Sequence, residues 1–166
     1  MKVDMVNLFS NEIEEVDCYK LPRIVANHTD SDFSNALAID MRLDDEGENN
    51  KDEIVDMVHS YSASFWSGFE PAGVNLLRHL FLVKVNAKAC TGDTDALAEK
   101  YEAVVEELCK RGNHAGAYYH ALTLIFGIVD NGKSDDENID AGVTEMYRLA
   151  YAGNPYALIF VMSVET

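Results

Sequence analysis

Positive charge is scarce in this sequence. Of 166 residues only 13 are Lys or Arg, against 29 Asp or Glu, which leaves a formal net charge of −16. Neutralising phosphate needs a basic face, so direct binding of nucleic acid is excluded, as is docking on anionic lipid. Cysteine is equally sparse. Cys18, Cys90 and Cys109 are odd in number and show no C-x-x-C spacing. That argues against a disulfide framework and for a reducing, cytoplasmic setting in which the thiols are small buried hydrophobes. A secretory leader is not expected, because Asp4 and Asn7 interrupt the first apolar residues and Glu12, Glu14 and Glu15 follow. No segment approaches the ~18 consecutive apolar residues of a membrane span. The two most apolar stretches, 76–85 and 115–129, are broken by Arg78, His79 and Lys84 and by Tyr118 and His120.

Catalytic signatures are missing too. There is no H-E-x-x-H, no phosphate-binding P-loop and no G-x-S-x-G; Ser67-Gly68 lacks the second glycine of a nucleophile elbow. The segment Asp130-Asn131-Gly132-Lys133-Ser134-Asp135 fails as a calcium loop, with Gly132 at the third position, Ser134 at the fifth, and no glycine at the sixth. His114 and His120 are six apart, and metal ligands on one helix face need a spacing of three or four. Of the thiols only Cys109, beside Lys110, has a cationic neighbour of the kind that activates a nucleophile. No cofactor and no metal is expected, and the chain reads as a non-enzyme.

What is present is apolar content and patterned acidity. Hydrophobic residues make up 48% of the chain, enough for a packed core in spite of the charge. The length suits one domain, 1–166. The acids are clustered: residues 12–17, 44–56, 93–107 and 130–140 hold 22 of the 29. Segments 44–56 and 130–140 combine Asp and Glu with Gly and Asn and read as loops leading into helices.

From Asp52 onward the hydrophobic period is helical. Ile54, Val58, Tyr61 and Phe65 fall on one face. Pro71 suits the first turn of the next helix, where its missing N–H costs little. The following residues are apolar nearly all round, although 81–85 taken alone also fits a strand. A helix over 93–111 has Leu97, Tyr101, Val104 and Leu108 on its apolar face, Asp93 as its cap, and Gly112 as its stop. Further helices are predicted over 114–127, over about 136–152 with Ile139, Val143, Met146 and Ala150 facing inward, and over about 155–164. The first 50 residues read as a less regular cap: 21–25 is extended around Pro22, and 33–43 fits a helix or a strand, with Ser31 or Asp32 available as a helix cap that favours the former.

The two junctions Leu108-Cys109-Lys110-Arg111-Gly112-Asn113-His114-Ala115 and Leu149-Ala150-Tyr151-Ala152-Gly153-Asn154-Pro155-Tyr156 align. Each has Leu four residues before a Gly-Asn pair, and an apolar helix follows. On these residues, with the small Ala115, Gly116, Ala117 and Ala121 beside them, the stretch 93–164 resembles the Sel1-like branch of the tetratricopeptide-like helical repeats. The usual Leu-Gly-x-x-Tyr run of that family is not intact here, and Gly116 stands where Ala is more common. The resemblance implies stacked helix pairs and a protein-binding role. Helix pairs of this kind cannot bury their apolar faces alone and need neighbours.

The expectation is therefore an all-α, antiparallel helical-repeat, solenoid-like array over 51–166 behind an irregular cap over 1–50. The expected function is a protein-interaction module, in its sharper form an acidic inhibitor or immunity-type protein that neutralises a basic partner. A DNA-mimic inhibitor is the first alternative, and an enzyme with a site not recognisable from sequence the second. The expected contact residues are Asp44, Asp45, Glu46 and Glu48, then Asp135, Asp136 and Glu137, with Tyr118 and Tyr151 as aromatic anchors. The competing readings are a solvated acidic surface and tyrosines that fill the groove between helices.

Overall fold

The computed structural model describes residues 2–6, 13–17, 21–26, 30–46, 51–89, 95–128 and 131–165. Its body is all-α, with seven helices among the described residues: α1 (Ser31–Glu46), α2 (Lys51–Trp66), α3 (Glu70–Ala89), α4 (Asp95–Lys110), α5 (His114–Ile125), α6 (Asp135–Tyr151) and α7 (Pro155–Glu165). Helices consecutive in sequence pack on one another within α1–α3 and within α5–α7, as a helical repeat array requires. Ahead of them β1 (Lys2–Val6) and β2 (Ile13–Asp17) pair antiparallel, with Val3 opposite Val16. The chain divides into two compact units, Arg23–Leu108 and a second formed by Met1–Pro22 with Cys109–Thr166.

In the unit Arg23–Leu108, α1 packs on α2 and α2 on α3. α1 begins two residues earlier than the sequence predicts. The cap is Asp30, whose Oδ1 accepts the Asp32 N–H at 2.9 Å, rather than Ser31 or Asp32. The acidic stretch 44–56, expected as a loop, is helical at both ends: Asp44, Asp45 and Glu46 close α1, and α2 opens at Lys51. On α2 the predicted face is inside. Val58, Tyr61 and Phe65 are buried together with Met57, while Ile54 is half-buried. α2 ends at the turn Ser67-Gly68, where Gly68 has φ +113°, a conformation that L side chains rarely adopt. α3 starts at Glu70 with Pro71 in its first turn and stays helical through 81–85. Gly73 lies against the Phe65 ring, so close that a Cβ there would sit 2.5 Å from a ring carbon. On α4, Tyr101, Val104, Val105 and Leu108 are buried, and Phe81 meets Tyr101 with ring centroids 6.2 Å apart. The predicted cap Asp93 lies outside the described residues.

In the other unit, α5 packs on α6, α6 on α7, and α5 also reaches α7. The repeated Gly-Asn pairs now have a physical account. Gly112 (φ +71°) and Gly153 (φ +95°) take the left-handed conformation that stops one helix, and the following Asn starts the next. Asn113 Oδ1 accepts the Ala115 N–H at 2.8 Å. Asn154 Oδ1 accepts the N–H groups of Tyr156 and Ala157 at 3.1 and 3.2 Å. Asn154 is also buried, and its Nδ2 donates to the His114 carbonyl at 2.9 Å. The second junction is thus tied back to the helix that the first one opens.

α6 departs from its predicted face. Ile139 is exposed, and the buried line is Asn138, Gly142, Met146 and Leu149. The face is turned by one residue because the closest helix approach runs through Gly142. A Cβ at that position would stand 2.7 Å from Ile125 Cγ1 and 2.9 Å from the Ala121 carbonyl oxygen. Asn138, next on the same line, exchanges side-chain hydrogen bonds with Asn131 at 2.9 and 3.2 Å and thereby pins the turn before α6.

Gly142→Val forces α5 and α6 apart. Overpacking of this kind costs about 1–3 kcal/mol, so the urea midpoint followed by circular dichroism is expected to fall. An unchanged midpoint would refute the close approach. Asn154→Ala removes a cap and the tie to His114 together, and a loss of about 1–2 kcal/mol is expected in the same measurement.

Candidate functional site

The densest cluster of ionisable side chains lies within the unit Arg23–Leu108 and has Asp40 at its centre. Asp40 sits on the core face of α1, one turn beyond Phe33 and Ala36, and has no exposed surface. Its carboxylate meets groups from three elements. Tyr61 Oη, from α2, donates to Oδ2 at 2.8 Å, and His79 Nε2, from α3, lies 2.9 Å from Oδ1. Arg23 and Arg78 bring guanidinium nitrogens to 3.3 and 3.6 Å. An ionised carboxylate only accepts, so His79 carries a proton on Nε2.

Asn75 extends the cluster. Its Oδ1 accepts the Ile24 N–H at 2.7 Å, its Nδ2 donates to the Ile24 carbonyl at 2.9 Å, and the same Nδ2 lies 3.4 Å from Tyr61 Oη. One side-chain amide thus satisfies both backbone groups of Ile24, much as a neighbouring strand would. The extended segment before α1 is thereby fixed to α3.

The electrostatics follow from this geometry. Burial by itself would push the Asp40 carboxyl up. The hydrogen bond and charge of His79, then the bonds from Tyr61 and Arg23, outweigh burial and hold it far below the usual carboxylate range. Burial and the adjacent Asp40 charge push the Tyr61 phenol far above its ordinary value. The result is an ionised acid and a neutral phenol sealed from water, which is a brace between helices rather than an exchangeable acid–base pair.

The residues predicted from sequence lie elsewhere and are not brought together with this cluster. Asp44, Asp45 and Glu46 form the end of α1, and Glu48 lies outside the described residues. Asp135, Asp136 and Glu137 are exposed at the start of α6. Ser134 caps that helix, its Oγ accepting from the Glu137 N–H at 3.2 Å, and Glu137 Oε2 accepts in return from the Ser134 N–H at 2.9 Å. The bond from the Ser134 backbone, then that from its side chain, holds the Glu137 carboxyl below its ordinary value. Glu137 therefore has a local structural role, whereas Asp135 and Asp136 face water at the positive end of the helix dipole.

The two tyrosines separate. Tyr118 is fully buried, stacked edge-on against Tyr119 at 5.6 Å and tilted against Tyr156 at 6.1 Å. The expectation that it anchors a partner is corrected: its ring is core. Tyr151, at the end of α6, is 91% exposed.

Other chemistry has little footing among the described residues. No group of three His, Cys, Asp or Glu side chains is placed to hold a metal ion. Cys109 is exposed by residue area, yet burial around its thiol raises its pKa, the direction opposite to activation. Cys18 and Cys90 lie outside the described residues. No described helix is long and apolar enough to cross a membrane. An open cavity of about 400 Å³ is lined by Asp30, Ser64, Ser67, Gly68 and Phe69. Two of its polar groups already bond locally: Asp30 caps α1, and Ser67 Oγ donates to the Ala63 carbonyl at 2.7 Å.

No protein-family model, curated protein or solved structure matches the chain.

Sequence reasoning passed over Asp40, Tyr61, Asn75 and His79 as a group. The available signal was polar residues at core spacing: Asp40 falls seven and four residues after Phe33 and Ala36, and Asn75, Arg78 and His79 interrupt an otherwise apolar helix.

Asp40→Asn leaves buried cations without their acid. Breaking a buried pair costs about 3–5 kcal/mol, whereas Tyr61→Phe removes one hydrogen bond and costs about 1–2 kcal/mol. Because the folded-state pKa of Asp40 is depressed, its contribution is complete above the ordinary value of 3.8 and fades as pH falls below it. Tyr61 is shifted the other way, so its contribution holds below pH 10 and fades above it. Denaturant titrations from pH 2 to 5 should show wild type losing an increment of stability that Asp40→Asn never had. Parallel curves for the two proteins across that range would contradict the assignment.

Proposed function

We propose that the protein is a non-enzymatic, Sel1-like protein-binding module of the cytoplasm, an acidic inhibitor or immunity-type protein that binds and neutralises a basic partner. The observation that carries this reading is the exposure of Asp135 and Asp136 at the start of α6, on a chain whose net charge is −16. A field of that sign speeds encounter with cations and repels nucleic acid. Tyr151 adds a large amphipathic side chain open to solvent. The full burial of Asp40 and Tyr61 supports a non-catalytic role, since the two most perturbed groups are out of reach of solvent. Helical repeats supply rigid faces for such binding.

The test is capture from the source cell at low salt by wild type and by the variant Asp135→Asn/Asp136→Asn. A captured partner should be basic, should elute as salt rises, and should associate about tenfold more slowly with the variant in surface-binding kinetics. Equal association rates for the two proteins, independent of salt, would refute the electrostatic reading.

A further inference from the structure

Four helix ends in this chain close on a left-handed glycine: Gly68, Gly112, Gly127 and Gly153, with φ between +63° and +113°. The residue four before each glycine is buried. It is Leu108 before Gly112 and Leu149 before Gly153. Before Gly127 it is Thr123, whose Oγ1 donates to the Tyr119 carbonyl at 2.8 Å. Before Gly68 it is Ser64, which is fully buried and whose Oγ has no hydrogen-bond partner. The backbone does not differ: the Phe69 N–H bonds to the Ser64 carbonyl at 3.1 Å, as Ile128 does to Thr123 and Asn154 to Leu149. The difference is in the side chain. A small polar residue stands where two of the other three corners have leucine, and a buried hydroxyl without a partner is unfavourable.

The open cavity of about 400 Å³ lies at this corner, and Ser64 is part of its wall together with Asp30, Ser67, Gly68 and Phe69. All five belong to the unit Arg23–Leu108. Small-molecule sites begin at about 300 Å³. The lining is chemically one-sided. Asp30 carries its only charge. Ser67 Oγ gives its proton to the Ala63 carbonyl at 2.7 Å, so towards any other group it accepts. Ser64 Oγ can accept as well. Phe69 supplies an apolar wall, its ring held T-shaped against Phe33 with centroids 4.8 Å apart. One carboxylate and two hydroxyls fall short of the roughly six oxygens that a hard divalent cation takes. They match the three N–H donors of an ammonium group.

We propose that the corner between α2 and α3 is a binding site for a primary ammonium group on a short alkyl chain. Asp30 pairs with the charge, the Ser64 and Ser67 hydroxyls accept from its N–H groups, and the Phe69 ring covers the methylenes. The cap that Asp30 gives α1, its Oδ1 accepting the Asp32 N–H at 2.9 Å, is compatible with this role, because a carboxylate has about four acceptor positions. A free amine and a lysine side chain offer the same group. Asp135 and Asp136 take no part, so this site and the function proposed above can fail independently.

The experiment is titration of the full chain with n-butylammonium chloride at constant ionic strength, followed through the amide resonances of Ser67, Gly68 and Phe69 in proton–nitrogen correlation spectra. Saturable shifts are expected there, and none with n-butanol. Asp30→Asn keeps a good helix cap and removes one charge of the net −16, so general attraction of cations barely changes while the dissociation constant should rise at least tenfold. Ser64→Ala should raise it about fivefold. The urea midpoint of the free Ser64→Ala protein should not fall, since the deleted hydroxyl had no partner; a lowered midpoint with unchanged binding would mean that Ser64 is structural and would overturn the proposal. Nα-acetyl-lysine amide separates the two sources: binding weaker than that of butylammonium assigns the site to a free amine, and equal or tighter binding assigns it to a lysine side chain. Equal binding of n-butanol and butylammonium, an affinity unmoved by Asp30→Asn, or shifts confined to residues outside this corner would also overturn it.

Discussion

The unit Arg23–Leu108 depends on one buried carboxylate. Asp40 has no contact with water, and an isolated charge in that position would cost more than the whole unit is worth. It is tolerated because α2 supplies a phenol, α3 supplies an imidazole and a guanidinium, and the segment before α1 supplies another guanidinium. Each of those groups has a single productive place. Three helices and an extended segment are therefore held in one register, where a purely apolar seam would allow sliding. Asn75 extends the constraint by fixing both backbone groups of Ile24. The cluster is best understood as a device for specificity of packing, since a buried ion pair adds little net stability over a well-packed apolar replacement.

The unit built on α5, α6 and α7 reaches the same end by different means. Among its described residues no buried charge organises it. Gly142 removes a side chain where α6 meets Ala121 and Ile125, and Asn154 closes the junction by bonding to the start of α5. The first unit is specified by satisfying a cost, the second by steric fit and by caps. The Asp40 cluster is expected to make the first unit respond to pH, whereas a side chain added at a close helix approach, Gly73 in the first unit or Gly142 in the second, is expected to disturb either.

Much of the helical frame was legible in the sequence. The period of Val58, Tyr61 and Phe65, the helix stops at Gly112 and Gly153, and the position of Pro71 are local signals, and the helices follow them. The misreadings share a cause: tertiary contact overrode local pattern. Ile139 fits an apolar face by spacing, yet Gly142 sets which side of α6 is close to α5. Tyr118 suits a binding surface by residue type, but only packing decides whether a tyrosine is inside. The Asp40 cluster was invisible because its members come from positions 23, 40, 61, 75, 78 and 79, and periodicity within one helix cannot pair them. Asp135 and Asp136 were identified by charge alone and are exposed, as is Glu137 beside them, whose carboxylate accepts from the Ser134 N–H in the cap.

Acidity and apolarity thus occupy different places on this chain, and the division bears on how a charged protein can associate at all. A surface of one sign keeps molecules apart at distances up to the screening length, and it draws in cations over the same range. Contact acts at a few ångströms, where the sign of the whole molecule matters less than the few side chains that touch. Leu158, Ile159 and Met162 are exposed and carry no charge. Asp135 and Asp136 open α6, whereas Leu158, Ile159 and Met162 lie on α7, so substitution of either group leaves the side chains of the other in place.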